Sequence, residues 1–249
     1  MSVKVFAGYK ELSEAVATIV VELIKQKPKA TICFASGHTP LLACKLFVAK
    51  ILREKIDVSA IRFFSLDEWV GVPPENQGSC HHFFYDVIFN PLGLTKNQVY
   101  VFDALTNNEA DECKKMDEAI AAAGGLDLMV VGIGMNGHIG FNEPGVAFDN
   151  YSHVMALDKS TIEGGQKYFE TNTILSKGIT IGLQHLIETK QVILMANGDK
   201  KAEIIKRTID ETVNEQLPAT IMQTHKNGTI MLDKAAASLL SANQFDASH

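Results

Sequence analysis

The sequence predicts an α/β fold: a modified doubly wound, mostly parallel sheet with helices on both faces. Three observations carry that expectation. Short apolar runs rich in β-branched residues recur along the chain, segments of helical period lie between them, and three of the runs end in polar, glycine-bearing stretches. Strands that alternate with helices assemble as βαβ units. Right-handed crossovers then lay the helices on both faces of one sheet, a Rossmann-like arrangement.

Taken in order, Lys29–Phe34 (KATICF) reads as a buried strand, followed by a helix from about Thr39 to Arg53. Ala60–Leu66 (AIRFFSL) is a second strand, Cys80–Phe89 a helix and Gln98–Phe102 a short strand. Glu109–Ala123 is a polar-faced helix that leads to a further buried strand at Leu126–Gly132 (LDLMVVG). Val192–Ala196 (VILMA) precedes a helix from about Lys200 to Asp210, and Thr229–Leu232 precedes a last helix. Repeats, low-complexity tracts and linkers are absent, so residues 1–249 are expected to form one domain. The least regular stretch, about Gly145 to Lys177, is the candidate lid or mobile segment.

Composition narrows the function classes. The chain has 249 residues, and its 23 basic and 29 acidic side chains give a formal charge of −6. An apolar share of 46% with 21% charged residues is ordinary globular usage, which argues against disorder. No run approaches the ~20 apolar residues that span a bilayer, and Met1–Phe6 lacks the features of a signal peptide. Cys33, Cys44, Cys80 and Cys113 are scattered without a CxxC pair, as incidental or buried thiols in a reducing compartment would be. The expected location is therefore the cytoplasm, with no membrane partner. The negative charge disfavours a nucleic-acid partner.

Ligands of an open α/β sheet collect outside the carboxyl ends of its strands. The first such end is Ser36-Gly37-His38-Thr39-Pro40. Thr39 can cap a helix that has Pro40 at its first position. The free N–H groups, hydroxyls and positive helix end suit a phosphate, although a capped helix start that binds nothing accounts for the segment equally well. The second end, Leu66-Asp67-Glu68-Trp69-Val70-Gly71, sets two carboxylates beside the only tryptophan. Neighbouring side chains of an extended segment face opposite ways, so one acid is expected in a given pocket. There an apolar wall can lift its pKa towards that of a general base. From this segment alone, solvated loop acids or an Asp helix cap are the more ordinary account.

The third end is Gly132-Ile133-Gly134-Met135-Asn136-Gly137-His138-Ile139-Gly140-Phe141-Asn142-Glu143-Pro144-Gly145. Its opening matches GxGxxG, yet the glycines lie mid-chain and run into a segment that cannot continue as a long helix, so a dinucleotide site is rejected. His138 is expected to face a crevice, with Glu143 able to orient its ring. A single histidine can also be a hydrogen-bonded structural residue. No metal-ligand spacing stands out.

Together SGHTP, LDEWVG and GIGMNGHIGFNEPG resemble the glucosamine-6-phosphate deaminase/isomerase family, whose superfamily includes the 6-phosphogluconolactonases. The resemblance extends over nearly the whole chain, with GITIGL (Gly178–Leu183) and GDKKA (Gly198–Ala202) included. Lactonases continue after the Gly-His pair with Ser-Leu-Phe-Pro-Gly, unlike this chain. Trp69, Gly78-Ser79-Cys80 and Asn136 look most like the galactosamine-6-phosphate isomerase branch.

The resemblance implies conversion of an amino-sugar 6-phosphate and water to a ketose 6-phosphate and ammonia, without metal or other cofactor. It implies that Asp67 shuttles a proton from C2 to C1, that His138 opens the ring and that Glu143 is its acidic partner. Ser36, Gly37, His38 and Thr39 would form the phosphate loop, with Lys201 as the phosphate-binding lysine. A homo-oligomer is compatible with it, since activation in some relatives depends on inter-subunit sites.

Two positions depart from the pattern. Asn136 stands where the glucosamine enzymes carry Asp, keeping the hydrogen bond but not the charge. The phosphate-binding arginine has no clear counterpart, and Lys167 is the nearest candidate, a point charge without a bidentate fork. Two other readings stay open: a 6-phosphogluconolactonase, and a sugar-phosphate-binding regulator that has lost catalysis.

Overall fold

A computed structural model describes residues 1–247. Its elements are β1 (Ser2–Phe6), α1 (Tyr9–Gln26), β2 (Thr31–Phe34), α2 (His38–Glu54), β3 (Arg62–Ser65) and β4 (Asp67–Trp69). Then come α3 (Cys80–Phe84), which continues through a π-helical turn at Tyr85–Phe89 into α4 (Asn90–Leu92), and β5 (Val99–Tyr100), α5 (Glu109–Ala122) and β6 (Leu128–Val131). The remainder is β7 (His153–Ala156), α6 (Lys159–Gly165), β8 (Lys177–Thr180), α7 (Leu183–Glu188), β9 (Gln191–Ala196), α8 (Ala202–Asp210), β10 (Gly228–Asp233) and β11 (Asp246–Ala247).

Eight strands form one sheet in the order β11-β1-β10-β9-β6-β2-β3-β5, and every pairing in it is parallel. The central strands are buried on both faces, which is why they read as unbroken apolar runs. Alternation sorts their side chains. Ile32, Phe34, Leu128, Val130, Ile193 and Met195 pack with α1, α2 and the α3 region on one face. Cys33, Met129, Val131, Val192 and Leu194 pack with α5, α7 and α8 on the other. The expected doubly wound α/β architecture is thus observed.

Strand order places the ligand crevice. From β2 the chain proceeds through α2 to β3 and outward, whereas from β6 it proceeds to β9 on the opposite side. The adjacent β2 and β6 are therefore the point at which the winding reverses, where parallel sheets open a crevice at their carboxyl ends.

A second, three-stranded antiparallel sheet, β4-β8-β7, stands over that end. Leu66 is the junction: its N–H donates to Phe34 of the main sheet, and its carbonyl accepts from Ile181 beside β8. Asp67 is thus the first residue past the main sheet, paired with Thr180.

Two expectations are revised. The 60–66 strand is shorter, spanning Arg62–Ser65, and its carboxyl end falls where the chain changes sheets at Leu66. The last helix does not form: beyond Asp233 the chain makes successive turns, with Ser238 and Leu240 bonded three residues back. Its run of about seven residues is shorter than a self-supporting helix. The irregular stretch from Gly145 to Lys177 contains β7 and α6. β1 and α1 lie outside the elements expected from the sequence, although Leu12, Val16, Val20 and Ile24 recur every four residues and are buried.

Candidate active site

The β2–α2 turn forms one wall of a crevice of about 480 Å³. Gly37 adopts φ 108°, open to glycine but strained for other residues, and a Cβ there would lie 2.9 Å from the Tyr168 hydroxyl. The helix starts at His38 with Gly37 as its N-cap, so Thr39 is not the cap and Pro40 is the third helical residue. The reason is the turn at Gly37, which brings the chain into helix at His38, ahead of Thr39 and Pro40. Since no side chain caps this helix, its first N–H groups are left for an anion. Tyr9 braces the turn, its hydroxyl bonded to the carbonyls of His38 and Thr39 at 2.8 and 3.0 Å.

Two cations join this wall. Lys201 donates to the Ile133 carbonyl at 2.5 Å. Burial, then the charge of Lys167, pushes its pKa down to about 8. Lys167 itself is exposed on the rim, 5.0 Å from the centroid of the Tyr168 ring. Burial and Lys167 also lower the pKa of His38, which stacks on Tyr168. Positive groups that depress one another's protonation are relieved when an anion enters.

Asp67 and Glu68 diverge, as their extended backbone dictates. Glu68 turns away from the crevice and accepts N–H bonds from Trp69, Cys80 and His81 at 2.8, 3.0 and 2.7 Å. It thereby closes the start of α3 from a distant strand. Asp67 lines the crevice and is 7% exposed. Among the described residues its carboxylate has one hydrogen-bond partner, the Cys80 thiol at 3.5 Å. Burial, then the Glu68 charge, pushes its pKa up to about 7. Burial lifts the Glu68 carboxyl to about 7 as well, against the pull of its three N–H donors, so the two acids titrate near neutrality as a pair. Asp67 is the member that faces the crevice.

Opposite stands the β6 loop. Gly134 makes room for the imidazole, since a Cβ on it would lie 2.3–2.5 Å from three atoms of the His138 ring. His138 Nδ1 lies 3.0 Å from the Thr161 hydroxyl and 3.3 Å from Glu143 Oε2. Asn136 Nδ2 donates to the same Glu143 oxygen at 2.8 Å, while Asn136 Oδ1 accepts the His138 N–H at 3.2 Å. The Asp158 N–H reaches the other Glu143 oxygen at 3.3 Å. Burial alone would raise the Glu143 pKa, but the bonds and charge of His138, with Thr161 and Asn136, hold it below the ordinary value.

The structure thus brings Ser36, Gly37, His38, Thr39, Asp67, His138, Lys167 and Lys201 to one crevice. Glu143 and Asn136 lie behind His138 rather than on the wall. Cys80, Thr161 and Tyr168 also line the crevice and were not drawn from the sequence. Thr161 and Tyr168 arise from an irregular stretch with no motif, whereas Cys80 carried a signal in its place beside the Gly-Ser pair. Among the described residues, no group of three or more His, Cys, Asp and Glu could hold a metal ion. No helix among them is long and apolar enough to cross a membrane.

Residues 7–231 match the model of the glucosamine-6-phosphate isomerases/6-phosphogluconolactonase family. The glucosamine-6-phosphate deaminase of Thermoanaerobacter sp. (strain X514) is 38% identical over 241 residues, covering 96% of this chain and 95% of its own. That of Clostridium botulinum (strain Hall) is 34% identical, covering 97% and 99%. Among solved structures, a monomeric glucosamine-6-phosphate deaminase superposes with a TM-score of 0.93 at 30% identity, covering 96% of this chain and 100% of that one. The 6-phosphogluconolactonase of Trypanosoma cruzi, at 20% identity and a TM-score of 0.80, covers 97% of each chain and shares the fold. Its matched length and its full-length relatives place this chain in the glucosamine-6-phosphate isomerase/6-phosphogluconolactonase family.

Proposed function

We propose that this protein is a hexosamine-6-phosphate deaminase/isomerase, which converts glucosamine 6-phosphate or its C4 epimer galactosamine 6-phosphate, with water, into the ketose 6-phosphate and ammonia. The observation that carries the reading is Asp67: a buried, nearly unpartnered carboxyl that titrates near neutrality, in the same crevice as an oriented histidine and an uncapped helix start.

The phosphate docks on the first turn of α2, with the Ser36 and Thr39 hydroxyls and Lys201, and with Lys167 at the rim. His138, held by Glu143 and Thr161, moves a proton from the O1 hydroxyl to the ring oxygen and opens the pyranose. Asp67 removes the proton from C2 while O1 takes one from the substrate's own C2 ammonium group, giving a cis-enolamine, and Asp67 then returns its proton at C1. The ketimine so formed takes up water and releases ammonia. Placing one carboxylate beside both carbons supplies the proximity the transfer requires.

The whole chain acts as one sugar-phosphate domain in this reading. Four free, buried thiols support a reducing, cytoplasmic setting. The test is an ammonia-release assay with both hexosamine phosphates beside hydrolysis of 6-phosphogluconolactone. Ammonia from at least one sugar, with no lactone turnover, is expected; lactone hydrolysis alone would overturn the reading. A site that discriminates the C4 hydroxyl by hydrogen bonding would separate the two sugars strongly.

A further inference from the structure

Among the described residues, Cys80 is the one bonded to both members of the buried carboxylate pair. Its backbone N–H donates to Glu68 Oε1 at 3.0 Å, and its thiol donates to Asp67 Oδ1 at 3.5 Å. On its other side the same sulfur accepts the Ser36 hydroxyl at 3.0 Å. The side chain is 3% exposed, and burial, then the charges of Glu68 and Asp67, holds its pKa well above the ordinary thiol value. It is therefore a protonated S–H, neither a nucleophile nor a redox thiol.

We propose that Cys80 is a positioning residue for Asp67: its S–H bond to Oδ1 fixes the carboxyl orientation, leaves Oδ2 for the substrate, and ties Asp67 to the phosphate loop through Ser36. The inference rests on the reading of Asp67 as the proton carrier. Sulfur suits the task because S–H is a weak donor. A hydroxyl in the same place would hold the carboxylate harder and draw its proton affinity down. The weak bond orients Asp67 while leaving it able to take a proton near neutrality.

The groups facing Asp67 are few. Glu68 adjoins it on β4, Cys33 approaches from β2, Cys80 from the start of α3, and Tyr168 from the segment after α6. None of these is a cation. Ser36 reaches Asp67 only through the Cys80 sulfur. A change in the strength of the one bond Asp67 makes should therefore appear directly in its titration.

The experiment compares wild type, Cys80→Ser and Cys80→Ala in ammonia release across pH 5–9, and follows the infrared S–H stretch of Cys80 through the same range, identified by its absence in Cys80→Ser. The expected result is an acid limb that moves down by roughly half to one pH unit in Cys80→Ser. In Cys80→Ala the limb moves up and kcat falls roughly tenfold with little change in KM. The S–H band should shift as Asp67 ionises in wild type and stay fixed in Asp67→Asn. Superimposable pH profiles in folded variants, or a wild-type band that does not move with pH, would overturn the inference. If wild type releases no ammonia, the functional reading fails, while the S–H band still decides whether Cys80 holds Asp67.

Discussion

Replacing Asp67 by asparagine separates what this carboxyl does to the fold from what it does in the site. Its folded pKa is raised from 3.8 to about 7, by burial first and by the charge of Glu68 second. Between those two values the folded protein holds a proton that the unfolded chain has released, so stability falls as pH rises through that window and levels off above it. At ~1.4 kcal/mol per pH unit, the part lost between pH 5 and about 7 is roughly 3 kcal/mol. Asparagine has nearly the same shape, can accept the Cys80 bond and does not titrate. Urea unfolding should therefore show Asp67→Asn gaining on wild type by roughly 3 kcal/mol between pH 5 and pH 8. Ammonia release should meanwhile fall by roughly 10²–10⁴-fold, the usual range for a lost general base. Parallel stability profiles would show that no strained charge is buried at Asp67. Activity within tenfold of wild type would remove Asp67 from the proton transfer.

Three further outcomes follow from the rest of the crevice. Lys201→Met should raise KM roughly 100-fold with a smaller effect on kcat, as loss of uniform phosphate binding does. In wild type, phosphate binding at pH 8 should take up a proton, because an anion restores the affinity that burial and Lys167 withdraw; calorimetry in two buffers of different ionisation heat reads this uptake, which should vanish in the variant. Gly134→Ala sets a Cβ against the His138 ring and should lower kcat by roughly 100-fold through a displacement of about 1 Å; an unchanged kcat would separate His138 from the chemistry. Asn136→Asp replaces a donor 2.8 Å from Glu143 by a second carboxylate, which should lower kcat by roughly tenfold while the acid limb set by Asp67 stays in place, and an unchanged kcat would show that the Asn136 donor does not govern the relay.

The parts of the fold legible in the sequence were those with continuous local signals. KATICF and LDLMVV are buried on both faces and so read as apolar runs, and the glycine-rich ends of their strands marked the crevice. β4 was not legible because it is three residues long and owes its existence to β8, whose residues pair with it from 109 to 113 positions later. Its effect is large all the same, since the change of sheet at Leu66 is what turns Asp67 into the crevice and Glu68 out of it. Thr161 and Tyr168 were hidden for a related reason: α6 and the turn after it have no motif, and only tertiary packing brings them to His138 and Gly37. Cys80 gives no spacing signal as a lone cysteine, and its one mark in the sequence is its place after Gly78-Ser79. The period-four stripe of α1, by contrast, was available in the sequence.

Two features of the sequence, its net charge and Asn136, take on a meaning in the structure that they lack in the sequence. A net charge of −6 opposes a phosphorylated substrate, yet the site confronts phosphate with free N–H groups and two lysines, while its carboxylates are kept from it: Asp67 by protonation near neutrality, Glu68 by its turn away from the crevice, and Glu143 by its place behind His138. Asn136 is the second feature. As the loss of a carboxylate it favoured a binding protein without activity. In the folded chain its amide is bonded at both ends, to Glu143 and to the His138 backbone, in a network that Thr161 completes. A carboxylate at that position could not donate to Glu143 while ionised. The asparagine therefore leaves no gap in the network: it supplies the donor that lets a single buried carboxylate, Glu143, keep its charge against the histidine. The substitution is thus a different way of charging the same relay, and it removes the main support for reading the site as a sensor.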